Sequence, residues 1–205
     1  MAGAAEHWNR IYRTKGDSEV SWFEAEPTVS IEMIDACDID ASTCVIDIGG
    51  GNSRLVDALL TRGLRCVAVL DVSGIAIANA RARLGEAAAS VRWIEASVTG
   101  DWSLPAVDIW HDRAVFHFLT TESERTAYKR HLRETVRAGG YAIIATFALH
   151  GPERCSGLSV TRYSSATLAA ELGDGFELVE SRAHQHTTPW GAAQSFQYSR
   201  FRRVA

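Results

Sequence analysis

Short apolar runs alternate with amphipathic segments through the middle of the chain. Five runs are short and apolar, as buried strands are: residues 45–48, 65–70, 91–95, 107–111 and 141–147. Between the last two runs, Tyr128, Leu132 and Val136 recur every four positions, which is the helical period, and this helix is expected to end at Gly139 and Gly140. The alternation predicts a parallel sheet with helices on both faces.

The last 30 residues of the sequence change to a period of two. Residues 176–187 and 194–203 alternate like two strands, and a turn over residues 188–191 joins them. This pattern predicts an antiparallel hairpin. With the five parallel strands, it gives an α/β protein with a Rossmann-like, seven-stranded, mostly parallel sheet that ends in a C-terminal antiparallel hairpin.

Composition narrows the classes of function. The formal net charge is -4, so the sequence has no basic surplus of the kind that binds nucleic acid. No apolar run approaches the length of a membrane span, and the N-terminal residues lack the apolar core of a signal peptide. We therefore expect neither nucleic acid nor a membrane as a partner. The sequence leaves the oligomeric state open.

The cysteines bear on the cellular compartment. The sequence has four of them, Cys37, Cys44, Cys66 and Cys155, and no two form a C-x-x-C pair. Cys44 and Cys66 lie in or beside the patterns of buried strands. We therefore expect reduced thiols without a disulfide framework, as in a cytoplasmic protein.

A glycine turn follows the first predicted strand. The run that begins at Asp47 continues through Gly49, Gly50 and Gly51, and an acid, Asp71, closes the next apolar run 20 residues after Gly51. Glycine lets the backbone approach a ligand closely, and an acid at the end of the second strand accepts hydrogen bonds from ribose hydroxyls. The arrangement predicts a nucleoside pocket. The structural alternative is a turn that only packs the strand against a helix.

Two nucleoside cofactors fit this pattern. A dinucleotide fold needs a third glycine three residues after the second, but Arg54 stands three residues after Gly51. The pattern therefore favours S-adenosylmethionine over NAD. An NAD-binding oxidoreductase and a catalytically silent cofactor-binding protein remain as alternatives.

The sequence resembles the class I S-adenosylmethionine-dependent methyltransferases over nearly its whole length. Within them it is most similar to a small branch that contains the elongation-factor and citrate synthase lysine methyltransferases and their bacterial relatives. Three segments carry the likeness: residues 7–12 with 21–23, residues 49–53, and residues 108–113. The sequence has Gly50 and Arg113 where that branch usually has Cys and Lys.

The resemblance implies roles at the cofactor for the matched residues. Gly49 and Gly51 would pass beneath its methionine and ribose parts, and Asp47 belongs to the same motif. Asp71 would hold the ribose, and Val72 would pack on the adenine. These five residues are therefore predicted to bind S-adenosylmethionine.

Other predicted cofactor contacts come from the third strand and the N-terminus. Ser97 stands where the superfamily often has an acid, so its hydroxyl would accept the adenine amino group more weakly than a carboxylate would. The Val98 N–H would serve a ring nitrogen. Trp8, Tyr12 and Trp22 form either a lid or ordinary core, and aromatic faces suit a sulfonium cation.

Methyl transfer from a sulfonium needs no acid at the leaving group, and alignment of the acceptor supplies much of the acceleration. Asp112, after the fourth strand, is expected to contact the methionine end or the acceptor, with a helix cap as the structural alternative. His117 is the minority candidate for a base. His184 and His186 with Cys155 suggest a metal, but methyl transfer needs none, so no metal is expected.

These observations predict a cytoplasmic S-adenosylmethionine-dependent methyltransferase with a single domain over residues 1–205. Residues 1–40 form N-terminal helices and a possible lid, residues 41–150 form the cofactor-binding core, and residues 151–205 form a substrate loop, helix and hairpin. A small-molecule acceptor is expected, because no substrate domain is added to the core. A protein lysine is the alternative acceptor.

Overall fold

The computed structural model describes residues 2–204. Its α-helices are α1 (Ala2–Thr14), α2 (Thr28–Asp35), α3 (Leu55–Thr61), α4 (Gly74–Leu84), α5 (Glu122–Thr135) and α6 (Ser165–Leu172). Its strands are β1 (Cys44–Ile48), β2 (Cys66–Asp71), β3 (Val91–Glu95), β4 (Val107–Arg113), β5 (Val136–Phe147), β6 (Arg154–Cys155), β7 (Leu158–Ser159), β8 (Phe176–Thr187) and β9 (Ala193–Arg203). Among the described helices, none has both the length and the apolar character to cross a membrane.

Seven strands form one sheet in the order β3-β2-β1-β4-β5-β9-β8. The first five run parallel, and β9 is antiparallel to both of its neighbours, β5 and β8. This confirms the predicted mostly parallel sheet with a C-terminal hairpin. The strand order reverses between β1 and β4, so a crevice opens at their carboxyl ends, where ligands bind in sheets of this kind.

Apolar clusters lie on both faces of the sheet. Neighbouring residues of a strand point to opposite faces, and Ile46 belongs to one buried cluster while Val45 belongs to the other. Leu132 of α5 packs in the first cluster and Leu59 of α3 in the second. Burial on both sides explains why the parallel strands are apolar runs without alternation.

Helix α5 ends before the predicted stop at Gly139 and Gly140. It ends at Thr135, and Val136 begins β5. A side chain at Gly140 would collide with the carbonyl oxygen of Asp108 in β4, so this glycine permits close strand pairing. Val136 fits the four-residue spacing of α5 because it is apolar and buried, although it is buried as the first residue of a strand.

Two of the cysteines are not reduced thiols as the sequence analysis expected. Cys44 and Cys66 form a disulfide, with their Cα atoms 4.5 Å apart. The parallel register of β1 and β2 places the two residues opposite each other, and their spacing in the sequence gives no sign of that register. Cys37 and Cys155 are free. The expectation of a cytoplasmic protein therefore loses the support that it drew from Cys44 and Cys66.

Candidate functional site

Two adjoining cavities open at the carboxyl edge of the parallel strands. They have volumes of about 170 Å³ and about 60 Å³, so the larger one is the main binding space. Tyr12, Trp22, Gly49 and Arg113 line both. The rest of the larger wall is Ala4, Trp8, Leu70, Asp71, Val72, Ala96, Ser97, Val98, Ala114, Val115, Phe118, Leu119, Phe147, Cys155, Gln194 and Phe196. The rest of the smaller wall is Val20, Phe23, Glu24, Pro27, Ser30, Asp47, Ile48, Gly50, Asn52, Ser53, Arg54, Leu55 and His111.

The glycine turn separates β1 from α3 and forms the floor between the cavities. Gly49 has a φ of +67°, and its N–H donates to the Leu70 carbonyl at 2.7 Å. A side chain at Gly49 would collide with Val115, and one at Gly51 would collide with the carboxylate of Asp71. The packing of the protein itself therefore requires these glycines. Gly49 also presents bare backbone to both cavities.

The carboxylate of Asp71 reaches the larger cavity from the end of β2. Its Oδ1 accepts the Ser73 N–H at 2.7 Å and its Oδ2 accepts the Gly51 N–H at 3.0 Å. Burial raises the pKa of Asp71 to about 6, although these N–H donors favour the ionised form. Each oxygen keeps a second lone pair. The group can therefore accept two hydroxyl donors from a ligand beside Val72.

Ser97 and Val98 share this cavity with Asp71 and Val72, so the structure brings the four predicted nucleoside residues together. The Ser97 Oγ lies 3.0 Å from the Thr99 Oγ1 and accepts the Thr99 N–H at 3.3 Å. This local turn holds the hydroxyl at the cavity wall. Its contact with an adenine remains a prediction.

Asp47 belongs to a buried chain of three polar side chains at the smaller cavity. Its Oδ1 lies 2.7 Å from the His111 Nδ1, and the His111 Nε2 lies 2.9 Å from the Ser30 hydroxyl. The Asp47 Oδ2 has no hydrogen-bond partner among the described residues and lies beneath Gly50. A buried acceptor of this kind needs a donor, which water or a ligand in the smaller cavity can supply.

Three aromatic side chains cover the larger cavity from the N-terminal side. The Trp8 ring lies 5.6 Å from the Trp22 ring and 5.4 Å from the Phe118 ring, measured between centroids. Tyr12 and Trp22 are 6.2 Å apart. All these pairs are edge-to-face, which is a favoured arrangement of aromatic rings. The predicted residues Trp8, Tyr12 and Trp22 therefore form a cover, and Trp22 also packs against the core.

Asn9, to which the sequence analysis gave no role, fastens this cover. Its Oδ1 accepts the Ser73 hydroxyl at 2.7 Å and the Ile75 N–H at 3.3 Å. The contact joins α1 to the first turn of α4, next to Asp71. Its partners lie 64 and 66 residues away in the chain, so nothing local in the sequence indicates it.

Arg113 forms the wall where the two cavities meet. It donates to the Trp22 carbonyl at 2.8 Å and to the Tyr198 hydroxyl at 3.0 Å, and its Nη2 lies 3.0 Å from the Glu24 carboxylate. The guanidinium also lies over the Phe196 ring, 5.0 Å from its centroid. Arg113 thus joins the N-terminal cover to the C-terminal hairpin and puts a fixed positive group at the junction.

Asp112, predicted to contact the ligand, lines neither cavity. It is fully buried, its Oδ1 accepts the Val115 N–H at 2.8 Å, and its Oδ2 accepts the Phe116 N–H at 3.1 Å and the Tyr128 hydroxyl at 2.7 Å. The Trp110 indole donates to Tyr128 in turn. Burial raises the pKa of Asp112 to about 6. The geometry assigns Asp112 the structural alternative, a cap on the turn after β4.

His117, the predicted base, is also enclosed by protein. It is fully buried, and its Nδ1 accepts the Phe147 N–H at 3.3 Å. Burial and the charge of Arg113 lower the pKa of His117 to about 3. The ring packs against Phe118 and Phe147 and lines neither cavity. His117 is therefore placed as a neutral core residue rather than as a base facing the ligand.

Residues 45–140 match the family model of a methyltransferase domain. This stretch begins in β1, ends in β5, and contains both the glycine turn and Asp71. A comparison with curated proteins found no match.

Solved structures share the fold over nearly the whole chain. One, described as the conversion of a disulfide bond into a thioacetal group during echinomycin biosynthesis, is 18% identical with a TM-score of 0.78, covering 98% of this chain and 93% of that chain. The N-methyltransferase NodS from Bradyrhizobium japonicum WM9 with S-adenosyl-L-homocysteine is 15% identical with a TM-score of 0.73, covering 98% of each chain.

A third structure is 1,6-didemethyltoxoflavin-N1-methyltransferase from Burkholderia thailandensis, with bound 1,6-didemethyltoxoflavin and S-adenosylhomocysteine. It is 17% identical with a TM-score of 0.69, covering 100% of this chain and 85% of that chain. Identities this low establish the fold alone.

Proposed function

We propose that this protein is an S-adenosylmethionine-dependent methyltransferase and that it methylates a nitrogen atom of a small aromatic molecule. The domain match over residues 45–140 and the fold support the first part. One observation carries the acceptor proposal. The larger cavity is also lined by Phe118, Phe147 and Phe196, an aromatic wall to which no cofactor contact is assigned. Such a wall favours a flat, apolar acceptor.

The residues present fit the cofactor at both ends. Asp71 has lone pairs available for the two ribose hydroxyls in the larger cavity. The unpartnered Oδ2 of Asp47 in the smaller cavity would accept the ammonium of the methionine part. The solved structures of NodS and of the didemethyltoxoflavin enzyme, both with S-adenosylhomocysteine, support this choice of cofactor. Bound there, S-adenosylmethionine supplies an electrophilic methyl group.

The protein's part in the reaction is to align the acceptor and exclude water. Among the described residues, the titratable side chains on the larger wall are Tyr12, Asp71, Arg113 and Cys155. Asp71 is assigned to the ribose, and burial raises the pKa of the Cys155 thiol to about 12. This set contains no group suited to take a proton at neutral pH. An acceptor nitrogen with a free lone pair needs no such base, and alignment by the aromatic wall suffices.

A protein lysine is the second candidate, supported by the likeness of residues 7–12 and 21–23 to the lysine methyltransferase branch. One feature makes it the weaker one. Helix α1 lies over the larger cavity through Ala4, Trp8 and Tyr12, so a polypeptide would have to displace it.

A labelling experiment tests the proposal. The protein is incubated with cofactor that carries a labelled methyl group, first with a panel of nitrogen heterocycles and aromatic amines, and then with lysate proteins. We expect label in the small-molecule fraction and on nitrogen. Label in protein lysine instead would select the second candidate. A thermal shift with NAD but none with S-adenosylhomocysteine would overturn the cofactor assignment itself.

A variant pair sharpens this experiment. Phe118→Ala removes part of the aromatic wall and should lower kcat/KM for the acceptor at least about tenfold, a larger effect than any loss of S-adenosylhomocysteine affinity through its contact with Trp8. Leu149→Ala removes an apolar side chain that is 56% exposed and lies outside both cavities, so it should leave kcat/KM unchanged. Equal activity of the two variants would remove the aromatic wall from the proposal.

Cofactor binding should depend on pH through Asp71. Burial raises the pKa of its carboxyl to about 6 in the free protein, and ribose hydroxyls that donate to the ionised form would lower that pKa in the complex. The affinity for S-adenosylhomocysteine should therefore rise as the pH increases towards about 6, by up to about tenfold per pH unit, and level off above it. Calorimetry between about pH 5 and pH 8 measures this. An affinity that does not vary with pH contradicts this prediction. So does a pH dependence that is the same in Asp71→Asn as in the wild type.

A further inference from the structure

Three metal-ligating side chains converge where the N-terminal cover meets the C-terminal hairpin. They are Glu24, from the segment between α1 and α2, and His184 and His186 on β8. Each offers one ligand atom, and the three atoms all lie within 4.8 Å of one another. The two histidines are two residues apart on a strand, so both point to the face that Glu24 crosses.

The hydrogen bonds of His186 fix which ring nitrogen faces this cluster. Its Nε2 lies 2.6 Å from the Ser21 carbonyl oxygen, and a carbonyl only accepts, so Nε2 carries the hydrogen. In the neutral ring, Nδ1 is then an acceptor. That Nδ1 lies 3.4 Å from the Glu24 Oε1, which also only accepts. In the neutral ring two acceptors therefore face each other at a side chain that is 4% exposed. The Arg113 guanidinium already lies 3.0 Å from the Glu24 Oε1, and a bound cation would relieve the mismatch on the His186 side.

A single proton between Glu24 and His186 would satisfy one pair of atoms, whereas a metal ion would satisfy three. Metal-bound histidines almost always donate their other ring N–H to a carboxylate, a backbone carbonyl or water, and the Ser21 carbonyl has this position. Two imidazoles and one carboxylate form a ligand set used by zinc, with a fourth position left for water. We propose that Glu24, His184 and His186 bind one Zn²⁺ ion, which clamps the N-terminal cover onto the hairpin.

The site has features that set its strength and its role. Arg113 already contacts the Glu24 Oε1 at 3.0 Å, so its charge should make binding weaker than in a closed four-ligand zinc site. Trp22, two residues before Glu24, lines both cavities. The ion would therefore hold the cover in place. This inference revises the expectation that the protein binds no metal.

Zinc titration of the full chain after chelator treatment tests the proposal. We expect one Zn²⁺ per chain by calorimetry, and a rise in Tm of roughly 5–10 °C at about 100 times the dissociation constant. His184→Ala should abolish both signals, and its half-buried position lets the apo variant keep the Tm and circular dichroism of the apo wild type. His150→Ala, at an exposed histidine, should bind like the wild type.

Co²⁺ serves as a spectroscopic probe of the ligands. We expect visible absorption from one bound ion, without the intense near-ultraviolet band of a thiolate ligand, and loss of the signal in His184→Ala. A thiolate band would show that Cys37 or Cys155 binds the metal, and it would overturn the assignment. Absence of Zn²⁺ binding to the wild type, or unchanged binding in a well-folded His184→Ala, would also overturn it and leave a proton between Glu24 and His186.

Discussion

Replacement of Asp71 with asparagine is expected to weaken S-adenosylhomocysteine binding by roughly 30- to 160-fold, which corresponds to about 2–3 kcal/mol. The carboxylate now accepts the N–H groups of Gly51 and Ser73, one on each oxygen. An asparagine would turn an NH₂ donor towards one of these N–H donors. It would also lose the charge that strengthens hydrogen bonds from ribose hydroxyls. Isothermal titration calorimetry at about pH 7 measures the change.

The matched control for this prediction is Glu95→Gln. Glu95 lies in register with Asp71 on the neighbouring strand β3 but is exposed and lines neither cavity. Its replacement removes the same charge and should leave the affinity within about twofold. If Asp71→Asn binds as tightly as this control while losing stability, Asp71 serves only to hold the glycine turn.

Replacement of Asp112 with alanine is expected to lower the free energy of unfolding by about 3 kcal/mol and the Tm by roughly 6–12 °C. The substitution leaves three donors without an acceptor: the half-buried Val115 N–H, and the buried Phe116 N–H and Tyr128 hydroxyl. Ligand affinity of the folded fraction should not change, because Asp112 lines neither cavity. Urea denaturation and calorimetry together measure both quantities.

The loss caused by Asp112→Ala should also vary with pH. Burial raises the pKa of the carboxyl in the folded state from its ordinary 3.8 to about 6. Between these values the folded protein binds more protons than the unfolded chain, so the stability that Asp112 contributes falls as the pH rises. The loss should therefore be larger at about pH 5 than at about pH 7. Asp101→Ala, at an exposed aspartate, should show neither loss. Normal stability with lost turnover would instead restore a catalytic role for Asp112.

The sequence predicted those features of the site that depend on short stretches of the chain, such as the glycine turn and the acid at the end of β2. A parallel sheet brings the ends of its strands to one edge, so the turn at Gly49 and the acid Asp71 had to lie near each other once the strands were assigned. Apolar and polar residues alternate over residues 176–187, and this period of two predicted the 12-residue strand β8. The placement of Gly49 and Asp71 at one cavity followed from these features, and their contact with a cofactor stays a prediction.

The assignment of Asp112 fails on the direction of its side chain. Neighbouring residues of a strand point to opposite faces, so Asp112 and Arg113 at the end of β4 cannot both face the ligand. Arg113 faces the cavities, while Asp112 turns inward to Tyr128. The apolar pattern of a strand buried on both faces gives no sign of which residue takes which side.

Contacts between strands depend on register, which the sequence does not contain. Asp47 and His111 become neighbours only because β1 and β4 pair with these two residues opposite each other. Their separation of 64 residues, and the third member, Ser30, from a helix, offer no local signal. The pairing of Cys44 with Cys66 escaped prediction for the same reason.

The disulfide between Cys44 and Cys66 makes β1, the glycine turn and α3 part of a closed covalent ring. With a sequence separation of 22, such a ring removes about 3 kcal/mol of chain entropy from the unfolded state. Local opening of the turn therefore becomes a rarer event than undocking of α1, which lies outside the ring. Amide hydrogens in the glycine turn would therefore exchange more slowly than those of the N-terminal cover. A ligand would enter by movement of the cover, while the glycine turn keeps its structure.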